Sequence, residues 1–372
     1  MRKIIVIMKN SDLLQIAKTY GDPVYVYDSE KIVSQFNRLT NAFKGVKTLK
    51  LNYATKALSN IAILRLFNSL GSGLDTVSIQ EVQLGLLAGF KPEDIIFTPN
   101  GVSLEEIEEA SALGVQINID NLSILEQFGS KHPAVPVCIR INPHVMAGGN
   151  ANISVGHIDS KFGISIHQIP HLLRIVEVTN MNINGIHMHT GSDILDIDVF
   201  LYASEILFET AKNFKNLDFI DFGSGFKVPY KEGDIETNIE ELGEKLTSKF
   251  NEFCKEYGKE LTLAFEPGKF LVSEAGNFLA KVNVVKQTLS TVFAGCLLVI
   301  AIPIIAHFCG KFFKRWKDNN SNKVLSLSLF FILTSFSIFI SLFRYVYFQA
   351  QELKVAALEA GTDIGIAEIM HN

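Results

Sequence analysis

Short apolar runs alternate along the first 288 residues with longer segments whose apolar positions recur every three to four residues. Such runs are typical of buried strands, and the periodic segments are typical of amphipathic helices. Eight strands are predicted, at residues 49–54, 74–77, 94–98, 115–119, 135–141, 183–189, 219–222 and 261–265. The helices predicted between them include residues 59–70, 78–88, 103–113, 199–212 and 239–257. Eight alternating units in about 220 residues predict an α/β fold, a closed (β/α)8 barrel of the TIM type.

Polar residues and glycines lie just after the carboxyl ends of these strands, on the face where barrel enzymes hold their reacting groups. Each has an ordinary structural explanation when taken singly, since a glycine turn can be a simple connection and a carboxylate can cap a helix. Their repetition at the same end of successive strands favours one shared active site. The residues are Lys56, Asp75, Asn100, Asn142, His189 with Ser192, Gly223 to Gly225, and Glu266 to Gly268.

Metal binding is not predicted. His187 and His189 alternate along one strand and share a face, but no third ligand lies at useful spacing along the chain. The four cysteines are widely spaced and form no CxxC motif, so neither a zinc site nor a disulfide framework is indicated.

Charge excludes one class of partner. The chain has a net charge of −5, and residues 1–288 alone carry 27 basic and 34 acidic side chains. This part has no basic field for nucleic acid. The apolar run at residues 4–8 is too short for the apolar region of a signal peptide, so we expect residues 1–288 to stay in the cytoplasm.

Successive motifs resemble the barrel of the fold-type III pyridoxal-phosphate decarboxylases, which is of the alanine racemase type, and most closely that of the diaminopimelate decarboxylases. The resemblance covers about residues 12–288. It implies pyridoxal 5'-phosphate as cofactor, and a small amino-acid substrate that loses CO2, as meso-diaminopimelate does when L-lysine is made in lysine biosynthesis. The motifs are YATKA from Tyr53, GLDTVS from Gly73, FTPNG from Phe97, RINP from Arg140, SKFGI from Ser160, GIHMHTGSDI from Gly185, DFGSGFKVPY from Asp221 and EPGK from Glu266.

The resemblance also implies residue roles. Lys56 is the lysine that forms a Schiff base with the aldehyde, provided that burial or neighbouring cations lower its pKa. His189 lies flat on the pyridine ring, whereas His187 packs within the barrel wall. Glu266 faces the ring nitrogen, which favours decarboxylation over racemisation, because racemases of this fold place a cation there. The other cofactor contacts implied are Asp75, Arg140, Ser192, Gly223, Ser224, Gly225 and Gly268.

One motif departs from the family pattern. The family commonly has arginine after Glu-Pro-Gly, where a guanidinium fork can hold a substrate carboxylate. Lys269 occupies that position here and offers a point charge instead. Lys269 is therefore predicted to bind substrate, with weaker anchoring.

The resemblance stops near residue 288. In the family a β-domain follows, begun by a strand that matches residues 278–288, and its Cys-Glu-Ser motif completes the active site of the partner subunit in a homodimer. Neither Cys296 nor Cys309 is followed by Glu-Ser. We therefore expect cofactor binding with impaired decarboxylation, and no family-type homodimeric site.

Two uncharged apolar stretches, 291–310 and 324–343, occupy the place of that domain. Each has about twenty residues, enough to cross a membrane as a helix. The sequence thus predicts three regions: a barrel domain with the start of a truncated β-domain at 1–288, a transmembrane hairpin at 289–345 and an amphipathic tail at 346–372. Residues 289–372 hold ten of the 28 phenylalanines.

The hairpin and the barrel conflict in topology. The basic loop at 311–323 favours a cytoplasmic loop, which would place the barrel outside the cytoplasm. We favour a junction near Thr288 that arose by rearrangement, frameshift or faulty assembly of the gene. Two alternatives stay open: a catalytically inactive, membrane-anchored barrel, and a decarboxylase for ornithine, arginine or carboxynorspermidine.

Overall fold

A computed structural model of the chain describes residues 8–145, 160–231, 233–287 and 292–296. These residues divide between two units. One runs from Asp28 to Gly276, and the other consists of the described parts of Met1–Tyr27 and Asn277–Met370.

Strands and helices alternate along the larger unit. The strands of the chain are β1 (Val24–Tyr27), β2 (Leu49–Ala54), β3 (Gly73–Thr76), β4 (Ile95–Phe97), β5 (Gln116–Ile119), β6 (Val137–Asn142), β7 (Ile164–Ser165), β8 (Ile183–Met188), β9 (Phe219–Asp221), β10 (Thr262–Phe265), β11 (Gly276–Leu279), β12 (Val282–Gln287) and β13 (Val292–Cys296). The helices are α1 (Asn10–Tyr20), α2 (Ser29–Ala42), α3 (Ile61–Ser69), α4 (Ile79–Ala88), α5 (Leu104–Ala112), α6 (Leu122–Lys131), α7 (Ile169–Thr179), α8 (Ile197–Ala211), α9 (Ile239–Tyr257) and α10 (Lys269–Val272). Short 3-10 turns lie at Thr55–Ala57, Pro92–Asp94 and Ile166–Gln168.

The central sheet is a closed barrel of eight parallel strands. Its order is β5-β4-β3-β2-β10-β9-β8-β6, and pairing of β5 with β6 closes the ring, while the two-residue β7 adds to β6. The eight strands are those predicted from the sequence, with ends that differ by one or two residues. The barrel prediction is therefore confirmed.

Polar side chains cap the first turn of several helices that follow barrel strands. The Ser78 hydroxyl accepts the Glu81 N–H ahead of α4, and Ser103 forms a reciprocal capping box with Glu106 at α5. Asn238 caps α9 in the same way. These caps explain why the predicted helices start where the structure has them.

Aromatic side chains fill the layer between the barrel wall and the helices. Phe265 of β10 packs against Phe43, just after α2, and against Phe222, with ring centroids 4.6 and 6.1 Å apart. Side chains alternate across a strand, so the residue after Phe265 points to the opposite side. That residue is Glu266, which the alternation directs toward the barrel interior.

The second unit contains two small sheets. Strand β1 pairs with β11, and β12 pairs antiparallel with β13. The sequence predicts one strand at 278–288, and the structure has two in this stretch. Residues 292–296 form a strand where the sequence predicts the start of a membrane helix, since β12 offers them a hydrogen-bonding edge.

The rest of the predicted hairpin, the tail at 346–372 and Cys309 lie outside the described residues. Within the described parts of the chain, no helix is both long enough and apolar enough to cross a membrane.

Candidate active site

Lys56 lies on the short turn that follows β2. Its Nζ is 3.4 Å from Oδ2 of Asp75, and the parallel register sets Ala54 beside Asp75 on β3. The Asp75 carboxylate is buried, whereas the lysine side chain is about half exposed. Asp75 raises the pKa of Lys56 more than burial lowers it. The condition stated from the sequence, a pKa lowered by burial or neighbouring cations, is not met here, because the nearest charge is the Asp75 carboxylate.

Asp75 is suited to exchange a proton with that lysine. Burial and the charge of Glu266 raise its pKa, Lys56 opposes them, and the result is a pKa of about 7. An amine attacks an aldehyde only after losing its proton. The structure therefore places a group that titrates near neutrality 3.4 Å from the amine that needs to lose a proton.

Glu266 follows β10 and is buried. Its Oε2 is 3.0 Å from Nε2 of His187, and its Oε1 accepts a 3.4 Å hydrogen bond from the Thr98 hydroxyl. Thr98 in turn accepts from the Asn118 amide at 3.0 Å. Burial raises the pKa of Glu266, but His187, Lys56 and further contacts outweigh burial and hold it below its usual range. The site thus contains a buried, ionised carboxylate held at both oxygens.

His187, expected from the sequence to pack within the barrel wall, lies on β8 and is buried there beside Glu266 and Asp221. One donor atom each from His187, Asp221 and Glu266 lies within 4.8 Å of the others. Spacing along the chain did not show this grouping, because the three residues come from different strands. Hydrogen bonds account for their placement: His187 meets Glu266, and Oδ1 of Asp221 accepts the Gly223 N–H at 2.8 Å.

The glycine turn after β9 packs against the loop after β8. Gly225 has a φ of +115°, and a Cβ there would lie 2.0 Å from the carbonyl oxygen of Gly191, so only glycine fits. Ser192 directly follows Gly191. The Ser224 N–H donates to Nδ1 of His189 at 3.4 Å. The structure therefore brings His189, Ser192 and the Gly223–Gly225 turn together, as expected.

The loop that carries Glu266 is locked to its neighbours. The Glu266 N–H donates to the Gly223 carbonyl at 2.6 Å, and the Ala54 N–H donates to the Pro267 carbonyl at 3.1 Å. A Cβ on Gly268 would lie 3.0 Å from Cβ of Ala57, next to Lys56. The amine, the carboxylate and the glycine turn are thus held by one set of main-chain contacts.

Lys269 is held by two partners. Its Nζ donates to Oδ1 of Asp193 at 2.9 Å and to the Tyr230 hydroxyl at 2.6 Å, and that hydroxyl donates to Asp193 at 3.2 Å. Burial lowers the pKa of Lys269, but the two partners outweigh it and raise the pKa. The ammonium is therefore charged and fixed in place.

Arg140 lies on β6 and is buried, with its guanidinium 4.9 Å from the ring centroid of Phe162. It stands in register with His187 of β8, so both point to the same side of the wall.

Five residues of the site were not singled out from the sequence. Four of them lie inside the motifs quoted above, so their position in the sequence could have identified them as candidates. The exception is Asn118, which is distinguished only by being a polar residue in a buried strand. They are Thr98, Asn118, Asp193, Asp221 and Tyr230.

The donor set fits pyridoxal 5'-phosphate. Lys56 offers an amine for the aldehyde, Glu266 a carboxylate for the ring nitrogen, and His189 an imidazole for the ring face. Main-chain N–H groups of a glycine turn suit the phosphate. Fold and site together define a barrel protein of the pyridoxal-phosphate-dependent class.

Comparison with known proteins narrows the class. Residues 29–273 match the family described as "Pyridoxal-dependent decarboxylase, pyridoxal binding domain". The chain belongs to this family of pyridoxal-dependent decarboxylases.

Several proteins similar to this chain are diaminopimelate decarboxylases. The chain is 35% identical to a diaminopimelate decarboxylase from Methanothermobacter thermautotrophicus over 75% of this chain and 67% of the relative. It is 30% identical to the diaminopimelate decarboxylase of Escherichia coli K12 over 74% and 65%. A crystal structure of the Helicobacter pylori diaminopimelate decarboxylase complexed with L-lysine superimposes with a TM-score of 0.67 at 31% identity, covering 76% of this chain and 72% of that one. The chain thus spans about two thirds of the length of these two sequence relatives.

Proposed function

We propose that the chain is a carboxy-lyase that converts meso-diaminopimelate to L-lysine and CO2 with pyridoxal 5'-phosphate. The observation that carries this proposal is the buried, ionised Glu266 in the same site as Lys56. When bound, the cofactor supplies an electron sink for the electron pair left on the substrate as CO2 departs. The relatives named as diaminopimelate decarboxylases support the choice of substrate.

The two charged groups have separate tasks in this proposal. Lys56 would hold the cofactor's aldehyde, and Asp75, which titrates near neutrality 3.4 Å away, would accept the proton that the amine has to lose. Glu266 keeps a proton on the ring nitrogen, because a nearby anion favours the cationic form of that nitrogen. A protonated ring is the stronger electron sink, so Glu266 favours loss of CO2.

The remaining cofactor contacts orient the ring and phosphate. Burial keeps His189 neutral by lowering its pKa well below the usual value, and the Ser224 N–H orients its Nδ1. A neutral, oriented imidazole suits stacking on an aromatic ring. The Gly223 and Ser224 N–H groups donate to Asp221 and His189 and so fix the shape of the turn. The main-chain N–H groups of Gly225 and Gly268, with the Ser192 hydroxyl, would hold the phosphate, while Asp75 and Arg140 would set the charge around Lys56 and the cofactor's phenolic oxygen.

Lys269 is proposed to hold a substrate carboxylate. An ammonium has three N–H groups, and Asp193 and Tyr230 engage two of them. Among the residues that the structure describes, no acceptor engages the third, so it can donate to a bound carboxylate. This arrangement anchors a carboxylate by one bond where a guanidinium offers two.

We also propose that turnover is weak. The family's half-site residues come from a domain with a Cys-Glu-Ser motif, and residues 289–372 contain no such sequence. Cofactor binding needs the barrel residues only, so it is expected to exceed decarboxylation.

The test uses the purified full chain, with Lys56→Arg as the key variant. Arginine keeps the positive charge beside Asp75 but forms no stable imine with an aldehyde. The parent is expected to change the absorbance of added pyridoxal phosphate, and Lys56→Arg to abolish that change. Lys91→Arg, at an exposed lysine, is the matched control and is expected to behave as the parent.

Two outcomes contradict the proposal. An absorbance change that persists in Lys56→Arg, or is absent from the parent, removes the cofactor assignment. CO2 release from meso-diaminopimelate at the rate of a complete relative would overturn the claim of weak turnover, and release only from another amino acid would overturn the substrate.

A further inference from the structure

The His187 imidazole has no role in the proposed reaction. His187 is fully buried on β8, beside Arg140 of β6 and Asp221 of β9 in the parallel register. The three side chains therefore point to one side of the barrel wall. A buried imidazole requires a hydrogen-bonding partner, and the identity of that partner indicates what the imidazole does.

That partner is Glu266. Nε2 of His187 is 3.0 Å from Oε2 of the carboxylate. Nδ1 has no hydrogen-bonding partner among the residues that the structure describes. Burial lowers the pKa of His187, and the neighbouring Glu266 opposes this effect. A proton belongs on Nε2, because without it a nitrogen lone pair would face a carboxylate oxygen.

His187 acts on Glu266 through this 3.0 Å hydrogen bond. This bond favours the ionised carboxylate, which burial and the neighbouring carboxylates oppose. It also limits rotation of the carboxylate, since Thr98 holds the other oxygen at 3.4 Å. The charged and titratable groups that face Glu266 from the surrounding strands are Lys56, Asp75, Cys138, Arg140, His187, His189 and Asp221.

We propose that His187 is a positioning residue for Glu266, whose Nε2–H holds the carboxylate ionised and in one orientation, the state that a protonated cofactor ring nitrogen requires. The use made of that carboxylate rests on the proposed function. The contact itself belongs to the protein alone, so it is testable without cofactor.

The first experiment is a double-mutant cycle on the full chain without added cofactor. Urea unfolding is measured for the parent, His187→Leu, Glu266→Gln and the double variant. His187→Leu lowers the unfolding midpoint, and Glu266→Gln is expected to reduce that shift to half or less, because a neutral amide no longer needs the bond. Additive shifts overturn the proposal.

His187→Gln keeps the inference testable if the leucine variant does not fold. Its side-chain amide reaches outward with an N–H donor, as Nε2 does in histidine. It is expected to restore most of the unfolding midpoint. The matched control is His132→Leu, which removes a 2.8 Å contact between a histidine and Glu108 at the surface and is expected to leave cofactor binding unchanged.

The second experiment measures bound pyridoxal phosphate. Loss of a hydrogen bond to a charged group is expected to raise the Kd roughly 10- to 100-fold in His187→Leu. The pH midpoint of the bound cofactor's absorbance change should also fall, because a less ionised Glu266 raises the pKa of the ring nitrogen less. His187→Gln should return both values toward those of the parent.

An unchanged Kd and pH midpoint in His187→Leu would overturn the proposal, and so would a His187→Gln variant as impaired as His187→Leu. A third contrary result is stabilisation of the parent by Zn²⁺ that is lost in His187→Leu and Glu266→Gln. That result would assign the group of His187, Asp221 and Glu266 to a metal ion. If the parent binds no pyridoxal phosphate, the proposed function fails, and the unfolding cycle still decides this inference.

Discussion

At the scale of single residues, the charge state of Lys56 depends on one neighbour. Asp75 is buried 3.4 Å from the amine, its own pKa is raised to about 7, and its charge raises the pKa of Lys56. Sequence reasoning chose both residues from their place after strand ends. It could not give the sign of the lysine's pKa shift, because that sign depends on which charge is nearest in space.

Asp75→Asn is expected to change the pH dependence of stability. The folded carboxyl has a pKa of about 7, against roughly 3.9 in an unfolded chain. Folded Asp75 keeps a proton that the unfolded chain loses between these values, so the stability of the parent falls as pH rises from about 4 to about 7. Asparagine does not titrate and so removes this effect. As pH rises from about 4 to about 7, the free energy of unfolding of the variant should increase relative to that of the parent by about 2–4 kcal/mol.

Urea unfolding at several pH values measures this difference. Asp198→Asn, at an exposed carboxylate, is the control and is expected to keep the shape of the parent's profile. Equal slopes for the parent and Asp75→Asn would contradict the assigned titration.

At the scale of elements, helices α2 and α9 approach closely at one glycine. A Cβ on Gly243 of α9 would lie 2.3 Å from the carbonyl oxygen of Ala42 at the end of α2. Arg38 of α2 joins the same pair by donating to Glu240 at 2.8 and 3.0 Å. A glycine that lowers helix propensity is thus the residue that lets the two helices pack.

Gly243→Ala is therefore expected to destabilise the fold. Helix propensity alone would make alanine better by about 1 kcal/mol. Overpacking against a main-chain oxygen opposes this gain with a cost of about 1–3 kcal/mol, and no side chain can move away to relieve it. We expect a net loss of up to about 2 kcal/mol in the free energy of unfolding, measured in urea.

The control for this substitution is Glu244→Ala, one residue further along α9 at an exposed position. It changes propensity without a close contact and is expected to be neutral or slightly stabilising. A Gly243→Ala variant more stable than the parent would mean that the two helices can separate at no cost.

Elements were the level at which sequence reasoning succeeded best. Apolar runs and polar caps are local signals, so the eight barrel strands and helices such as α5 and α9 were predicted to within two residues. Residues 292–296 show the limit of the approach. An apolar run forms a strand or a helix according to what lies beside it, and here β12 provides a strand edge.

At the scale of the whole molecule, closure of the barrel assembles the site. The groups around Glu266 come from both halves of the chain, and pairing of β5 with β6 completes the ring that holds them. A ligand that contacts several strands at once stabilises the closed ring relative to the unfolded chain.

Pyridoxal phosphate is accordingly expected to raise the thermal unfolding midpoint of the full chain. At a hundred times its Kd, the cofactor should add about 2.7 kcal/mol to the free energy of unfolding. Lys56→Arg should lose most of this gain. Pyridoxine phosphate, which has the ring and phosphate but no aldehyde, is the matched ligand control and should stabilise the parent less. Equal stabilisation by both ligands would show that Lys56 forms no bond with the aldehyde.

The sequence by itself determined the barrel, the order of its strands along the chain, the family and most of the candidate site residues. These features follow from local periodicity and from motifs of adjacent residues, which need no knowledge of distant contacts. Only the tertiary structure decided that His187 holds Glu266, that Asp75 keeps Lys56 charged, and that Asp193 and Tyr230 fix Lys269. Such pairings join different strands and loops, and their energies depend on distances and burial that spacing along the chain does not specify.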